Sequence, residues 1–198
     1  MTDSFLTIQT QTSGLYKSKG SKFLSFAHPA KDTEVVKDLI ADYKKQYHNA
    51  RHICYAYVLG PEREDYRFND DGEPSGTAGR PILGQINARN LTDVLVVVVR
   101  YFGGVLLGTG GLVTAYKEAA SDALEQAEII EKTVDSCIKI SFEYPDIETI
   151  MSAIKASQAE VIRQDFQETC ILKLSVPLAN KSFLINSLEK VAEIEVLF

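Results

Sequence analysis

The chain has 198 residues, 45% of them hydrophobic, with a formal net charge of -6 and a pI near 5.2. There is enough apolar material to bury a core in one large domain or two small ones, and the acidic balance argues against a surface that wraps nucleic acid broadly. Cys54, Cys137 and Cys170 are odd in number and far apart in apolar stretches, which argues against a disulfide framework or a CxxC metal site and predicts reduced thiols. The opening MTDSFLTIQTQTSG has neither a basic n-region nor an apolar h-region, and no apolar run approaches the about 20 residues of a membrane span. A soluble, cytoplasmic protein is expected.

In chain order, SFLTIQTQT alternates apolar and polar residues as a half-buried strand does, and KFLSFAHPA, HICYAYVLG and EDYRFND are further strands. DTEVVKDLIADYKKQY places Val35, Val36, Leu39, Ile40 and Tyr43 on one helical face, with Asp32 or Thr33 as cap. Around Arg80 and Pro81 another helix is expected to begin, since proline suits a first turn. VLVVVVRYF is uninterrupted by polar residues until Arg100, so both of its faces should be buried in a sheet. LVTAYKEAASDALEQA is rich in helix formers. This first block reads as α+β or α/β around a mixed sheet.

All twelve glycines lie before residue 133, and EKT at 131–133 reads as a link to a block with a different rhythm. The second block runs strand, helix, strand, strand, helix, strand, with Pro145 in the first turn of one helix and Asn180 capping the next. That is the βαββαβ order of a ferredoxin-like domain. The expected division is therefore 1–133 and 134–198, carrying charges of -2 and -4 respectively. An anionic ligand should meet the first domain.

Three stretches there carry chemistry. In VLVVVVRYFGGVLLGTGG, Gly103, Gly104, Gly108, Thr109, Gly110 and Gly111 follow a buried strand and open a helix. No lysine follows as a P-loop needs, and Val113 stands where a dinucleotide fingerprint wants its third glycine. Two readings stand: an anion site made of Arg100 and free helix N–H groups, or tight packing of helix on sheet. The stretch 67–86 lacks the ligand register of a calcium loop, with Arg67 and Ala78 at two of its ligand positions. It offers Asp71, Glu73 and Ser75 before a second helix start beside Arg80, or else a solvated turn. In YHNARHICYA, His48 and His52 straddle a helix end and a strand start, so they do not share a metal-binding face. With Arg51 they are polar site candidates, or histidines bonded within the fold. No cofactor, no metal and no catalytic residue is assigned.

The succession KGSKF, YHNARHICYAYVLG, FNDDGEPSGTAGRPILGQI and VVVVRYFGGVLLGTGGLVTAY resembles the IMPACT family, and the two-block length resembles its bacterial YigZ branch. The resemblance implies a domain of the ribosomal protein S5 domain 2-like type followed by a ferredoxin-like domain, similar to adjacent domains IV and V of elongation factor G. Eukaryotic members regulate translation by competing for an activator of a stress-responsive initiation-factor kinase. Together the readings give a non-enzymatic binding module linked to translation, holding RNA phosphates or ribosome-associated partners through His48, Arg51, His52, Asp71, Glu73, Ser75, Arg80, Arg100 and the glycine turn. The acidic second domain would meet a protein. The alternative is an enzyme for a small phosphorylated or anionic substrate, with His48 or His52 as acid or base and Asp71 or Glu73 as its partner.

Overall fold

The computed structural model describes residues 3–166 and 169–197; Glu168 and Phe198, taken from sequence as strand ends, lie outside the described residues, as do Met1 and Thr2. Two compact units divide the chain. The first spans Phe5–Lys132; the second runs from Thr133 onward and takes in the stretch up to Ser4.

The first unit is built from β1 (Ser4–Ile8), β2 (Thr12–Ser18), β3 (Ser21–Pro29), α1 (Thr33–Gln46), β4 (His52–Leu59), β5 (Asp65–Asn69), α2 (Gly79–Ala88), β6 (Val94–Tyr101), α3 (Gly108–Glu125) and β7 (Ile129–Thr133). A five-stranded sheet has the order β2-β3-β6-β4-β5, and β1 pairs with β7 in a separate ribbon. The expected mixed sheet is instead antiparallel at every pairing. The reason is that β3 and β4, joined by the α1 crossover, run parallel but are not neighbours, and β6 lies between them antiparallel to both.

Two other expectations change. SFLTIQTQT is not one strand: β1 ends at Ile8, and a strand not foreseen, β2, starts at Thr12. Residues 131–133, expected as a link, form the end of β7, and the chain passes from the first unit to the second between Lys132 and Thr133.

Alternation along β6 explains the layers. Val94, Val96 and Val98 face the cluster formed with α2 and α3, and Leu95, Val97 and Val99 face the cluster formed with α1. Each is fully buried, a contribution of about 1.5–3 kcal/mol per side chain. Arg100 continues the even series onto the α2/α3 side, at the sheet end where aliphatic residues stop. Asp32 caps α1 as foreseen, its Oδ1 accepting from the N–H groups of Glu34 at 3.0 Å and Val35 at 2.9 Å.

The second unit holds β8 (Asp135–Phe142), α4 (Ile147–Ala156), β9 (Glu160–Phe166), β10 (Cys170–Pro177), α5 (Leu178–Leu188) and β11 (Glu193–Leu197). Its antiparallel sheet has the order β11-β8-β10-β9, which with two helices on one face is the ferredoxin-like arrangement. Ile138, Ile140, Leu172 and Leu174 pack there against Ile150, Ile154, Leu184 and Leu188. Pro145 stands in the single 3₁₀ turn before α4. Asn180 does not cap α5, because the helix already begins at Leu178; its amide instead donates to the Ser157 carbonyl at 3.0 Å.

Among the described residues no helix is long and apolar enough to cross a membrane, and no group of three or more His, Cys, Asp or Glu side chains is placed to hold a metal ion.

Candidate functional site

At the end of the sheet, register places Phe23 on β3, Arg100 on β6 and His52 on β4 directly opposite one another. All three fall on the α2/α3 side by alternation. The Arg100 guanidinium lies 5.5 Å from the centre of the Phe23 ring and 5.7 Å from that of Phe102, close enough for cation–π attraction.

The partner of Arg100 comes from the loop after β5. There the Glu73 N–H donates to the Asp70 carbonyl at 2.9 Å, and both central residues, Asp71 (φ 43) and Gly72 (φ 85), have positive φ as a type I′ turn requires. The turn aims Glu73 back at the sheet. Its Oε1 accepts from Arg100 Nη1 at 2.5 Å and from the Tyr116 hydroxyl at 2.8 Å, with His52 Nε2 at 3.8 Å. The Arg100 side chain is 6% exposed and that of Glu73 3%, so each charge depends on the other; breaking such a buried pair is strongly unfavourable. Behind Glu73 the Cys54 thiol donates to the Tyr116 hydroxyl at 3.3 Å. Burial, together with the carboxylates around them, pushes the Cys54 thiol and Tyr116 phenol well above their ordinary pKa values, so both stay protonated.

His52 Nδ1 lies 2.7 Å from the Asp71 carbonyl oxygen. A carbonyl only accepts, so Nδ1 carries the proton and the neutral ring has its lone pair on Nε2, on the Glu73 side. The Asp71 carboxylate accepts from the Ile53 N–H at 2.6 Å and ties the loop to β4.

Arg100, Glu73 and His52 face a cleft of about 460 Å³, lined also by Arg51, Pro74, Phe102, Leu106, Leu107, Gly108, Thr109 and Leu112. The α3 helix begins on its wall with Leu107 as N-cap, no side-chain cap and no acidic residue in the first turn. Its first N–H groups therefore lack the usual side-chain acceptor. Arg100 Nε is also buried without a hydrogen-bond partner.

Of the residues expected at a site, Arg51, His52, Glu73, Arg100, Gly108 and Thr109 line this cleft, and Asp71 orients His52 from behind. His48, Ser75 and Arg80 are exposed and not among its lining, nor are Gly103, Gly104, Gly110 and Gly111. The second helix start, expected to be open beside Arg80, is closed: Asp70 accepts from the N–H groups of Gly76 at 2.9 Å, Ala78 at 3.0 Å and Gly79 at 2.8 Å. Packing explains Gly103, where an added Cβ would fall 1.9 Å from the Gly20 carbonyl carbon. Cys54, Asp70, Phe102, Leu106 and Tyr116 were not singled out from sequence. Tyr116 stands there within a stretch rich in helix formers, and only the fold turns its hydroxyl to Glu73.

Comparison with known proteins accords with this architecture. The Impact N-terminal domain family matches residues 19–124, which carry the sheet end, the 70–78 loop and α3. The IMPACT family member YigZ of Escherichia coli (strain K12) is 34% identical over 163 residues, 81% of this chain and 80% of that protein. YvyE of Bacillus subtilis (strain 168), also an IMPACT family member, is 35% identical over 80% of this chain and 73% of its own. A crystal structure described only as that of an hypothetical protein covers 100% of this chain and 99% of its own with a TM-score of 0.76 at 29% identity. The chain belongs to the IMPACT family.

Proposed function

We propose that the first unit is a non-catalytic anion-binding module of the cytosol, linked to translation, that takes a phosphate of RNA into the cleft between Arg51, Arg100 and the start of α3. One observation carries this reading: an 18-residue helix starts uncapped at a cleft floored by a buried arginine whose Nε has no partner. Helix N–H groups and guanidinium donors are the usual recipients of phosphate oxygens. Residues 134–198, with a charge of -4, would supply a protein or ribosomal contact. RNA titrated against the full chain at rising ionic strength should bind most tightly at low salt, and Arg51→Ala should weaken it; no binding at any salt would overturn the proposal.

A second reading is favoured by the fixed tautomer of His52. With Nε2 on the Glu73 side, 3.8 Å from that carboxylate, and its residue among those lining the cleft, His52 is placed to accept a proton from a small anionic substrate. His48 has no part in it. A panel of phosphate esters incubated with the chain and with His52→Gln tests it: turnover lost in the variant supports an enzyme, and no turnover of any ester removes this reading.

A further inference from the structure

The cleft is poorly shaped for a bare phosphate or for a track along a nucleic-acid backbone, and we infer that it is a pocket for one nucleotide unit, a base together with a single phosphate. The inference rests on the anion site proposed above and adds what lies beside it. Two cationic side chains, Arg51 and Arg100, line the cleft, and Glu73 already neutralises Arg100. A phosphate track needs a row of cations; this arrangement has positive character for one anionic group, contributed by Arg51 and the first turn of α3. A polyphosphate would bring further charge towards the Glu73 carboxylate.

The remaining wall is apolar. Pro74, Phe102, Leu106, Leu107 and Leu112 form most of it, and a volume of about 460 Å³ lies within the range of pockets that enclose small organic ligands. Phe102 is 48% exposed and Leu106 82% exposed. Two large apolar side chains left in water at the edge of an anion site are what a flat base requires, because every base has a π-face that stacks on an aromatic ring. Such stacking is worth a factor of about 5 to 150 in affinity.

The ligand chemistry can come from a free nucleoside monophosphate or from the terminal nucleotide of an RNA chain. Calorimetric titration of the full chain with inorganic phosphate, ribose 5-phosphate, AMP and a 5′-phosphorylated oligoribonucleotide separates the cases. AMP should bind at least about tenfold more tightly than ribose 5-phosphate, and Phe102→Ala should erase that margin. Phe102→Leu, which keeps an apolar side chain beside Arg100, should also lose it. An oligonucleotide that binds more tightly than AMP assigns the pocket to a chain end; equal affinity assigns it to the nucleotide alone. Equal binding of AMP and ribose 5-phosphate would overturn the single-nucleotide pocket and leave the anion site standing. No binding of any of the four probes would overturn both.

Discussion

Two helices of the first unit pack side by side on one face of the same sheet, and they begin in opposite ways. At α2 the chain supplies its own anion: the Asp70 carboxylate takes three backbone N–H groups. At α3 no side chain does this, and the first turn has no acidic residue. A helix start attracts negative charge whichever chain provides it. The difference separates a structural terminus from one available to a ligand, and proximity to glycines does not, since both starts are glycine-flanked in sequence.

The largest expected effect tests what holds the two starts in place. Asp70 and Glu73 belong to one turn, and Glu73 is anchored by Arg100 and Tyr116. Arg100→Ala leaves a buried carboxylate without its counter-charge and should lower stability by about 3–5 kcal/mol, read as a fall in the denaturant midpoint. The paired change Arg100→Met with Glu73→Leu should recover most of that loss. If Arg100→Ala costs less than about 1 kcal/mol, the ion pair does not hold the loop, and the closed start of α2 must be fixed by something else.

Next in size is the cap itself. Asp70→Ala removes the acceptor for Gly76, Ala78 and Gly79 and should cost about 1–2 kcal/mol, with Asp70→Asn retaining part of it. Local amide exchange should quicken at the first turn of α2 and stay unchanged at α3. Equal quickening at both helices would mean that the two starts are coupled and that the contrast between them is not local.

How much of this was legible beforehand follows from the range of each interaction. The unbroken apolar run VLVVVV, the cap at Asp32 and the strand–helix order of the second block are local patterns, and each appears where the sequence places it. Arg100, His52 and Glu73 were legible as polar residues beside glycines. Their meeting was not, because it depends on strand register between β4 and β6 and on a turn that redirects the 70–78 loop. Asp70 shows the limit most clearly. Beside Asp71 and Gly72 it reads as a turn residue, whereas its carboxylate reaches six to nine residues ahead to the start of α2. Ser75 and Arg80 near that start therefore read as ligand groups in the sequence, whereas the helix start is filled from within. Gly103 was equally opaque: it answers to Gly20, more than eighty residues earlier in the chain.

The smallest expected effect on stability is the most direct test of the contrast, because it converts one kind of helix start into the other. Gly110→Asp places a carboxylate in the first turn of α3, where space is open and the backbone needs no glycine. An acid near a helix N-terminus contributes about 0.3–1 kcal/mol, and replacing glycine within a helix adds a few tenths more. The variant should therefore be more stable by about 0.5–1 kcal/mol, seen as a raised denaturant midpoint. It should also lose affinity for phosphate-bearing ligands, because the new carboxylate takes the N–H groups and repels the anion. Gly110→Ala, which adds a methyl group and no charge, should gain part of the stability and separate steric from electrostatic loss of binding. A Gly110→Asp chain that is stabilised and still binds RNA or AMP as tightly as the parent would show that the open start of α3 is not where the anion sits.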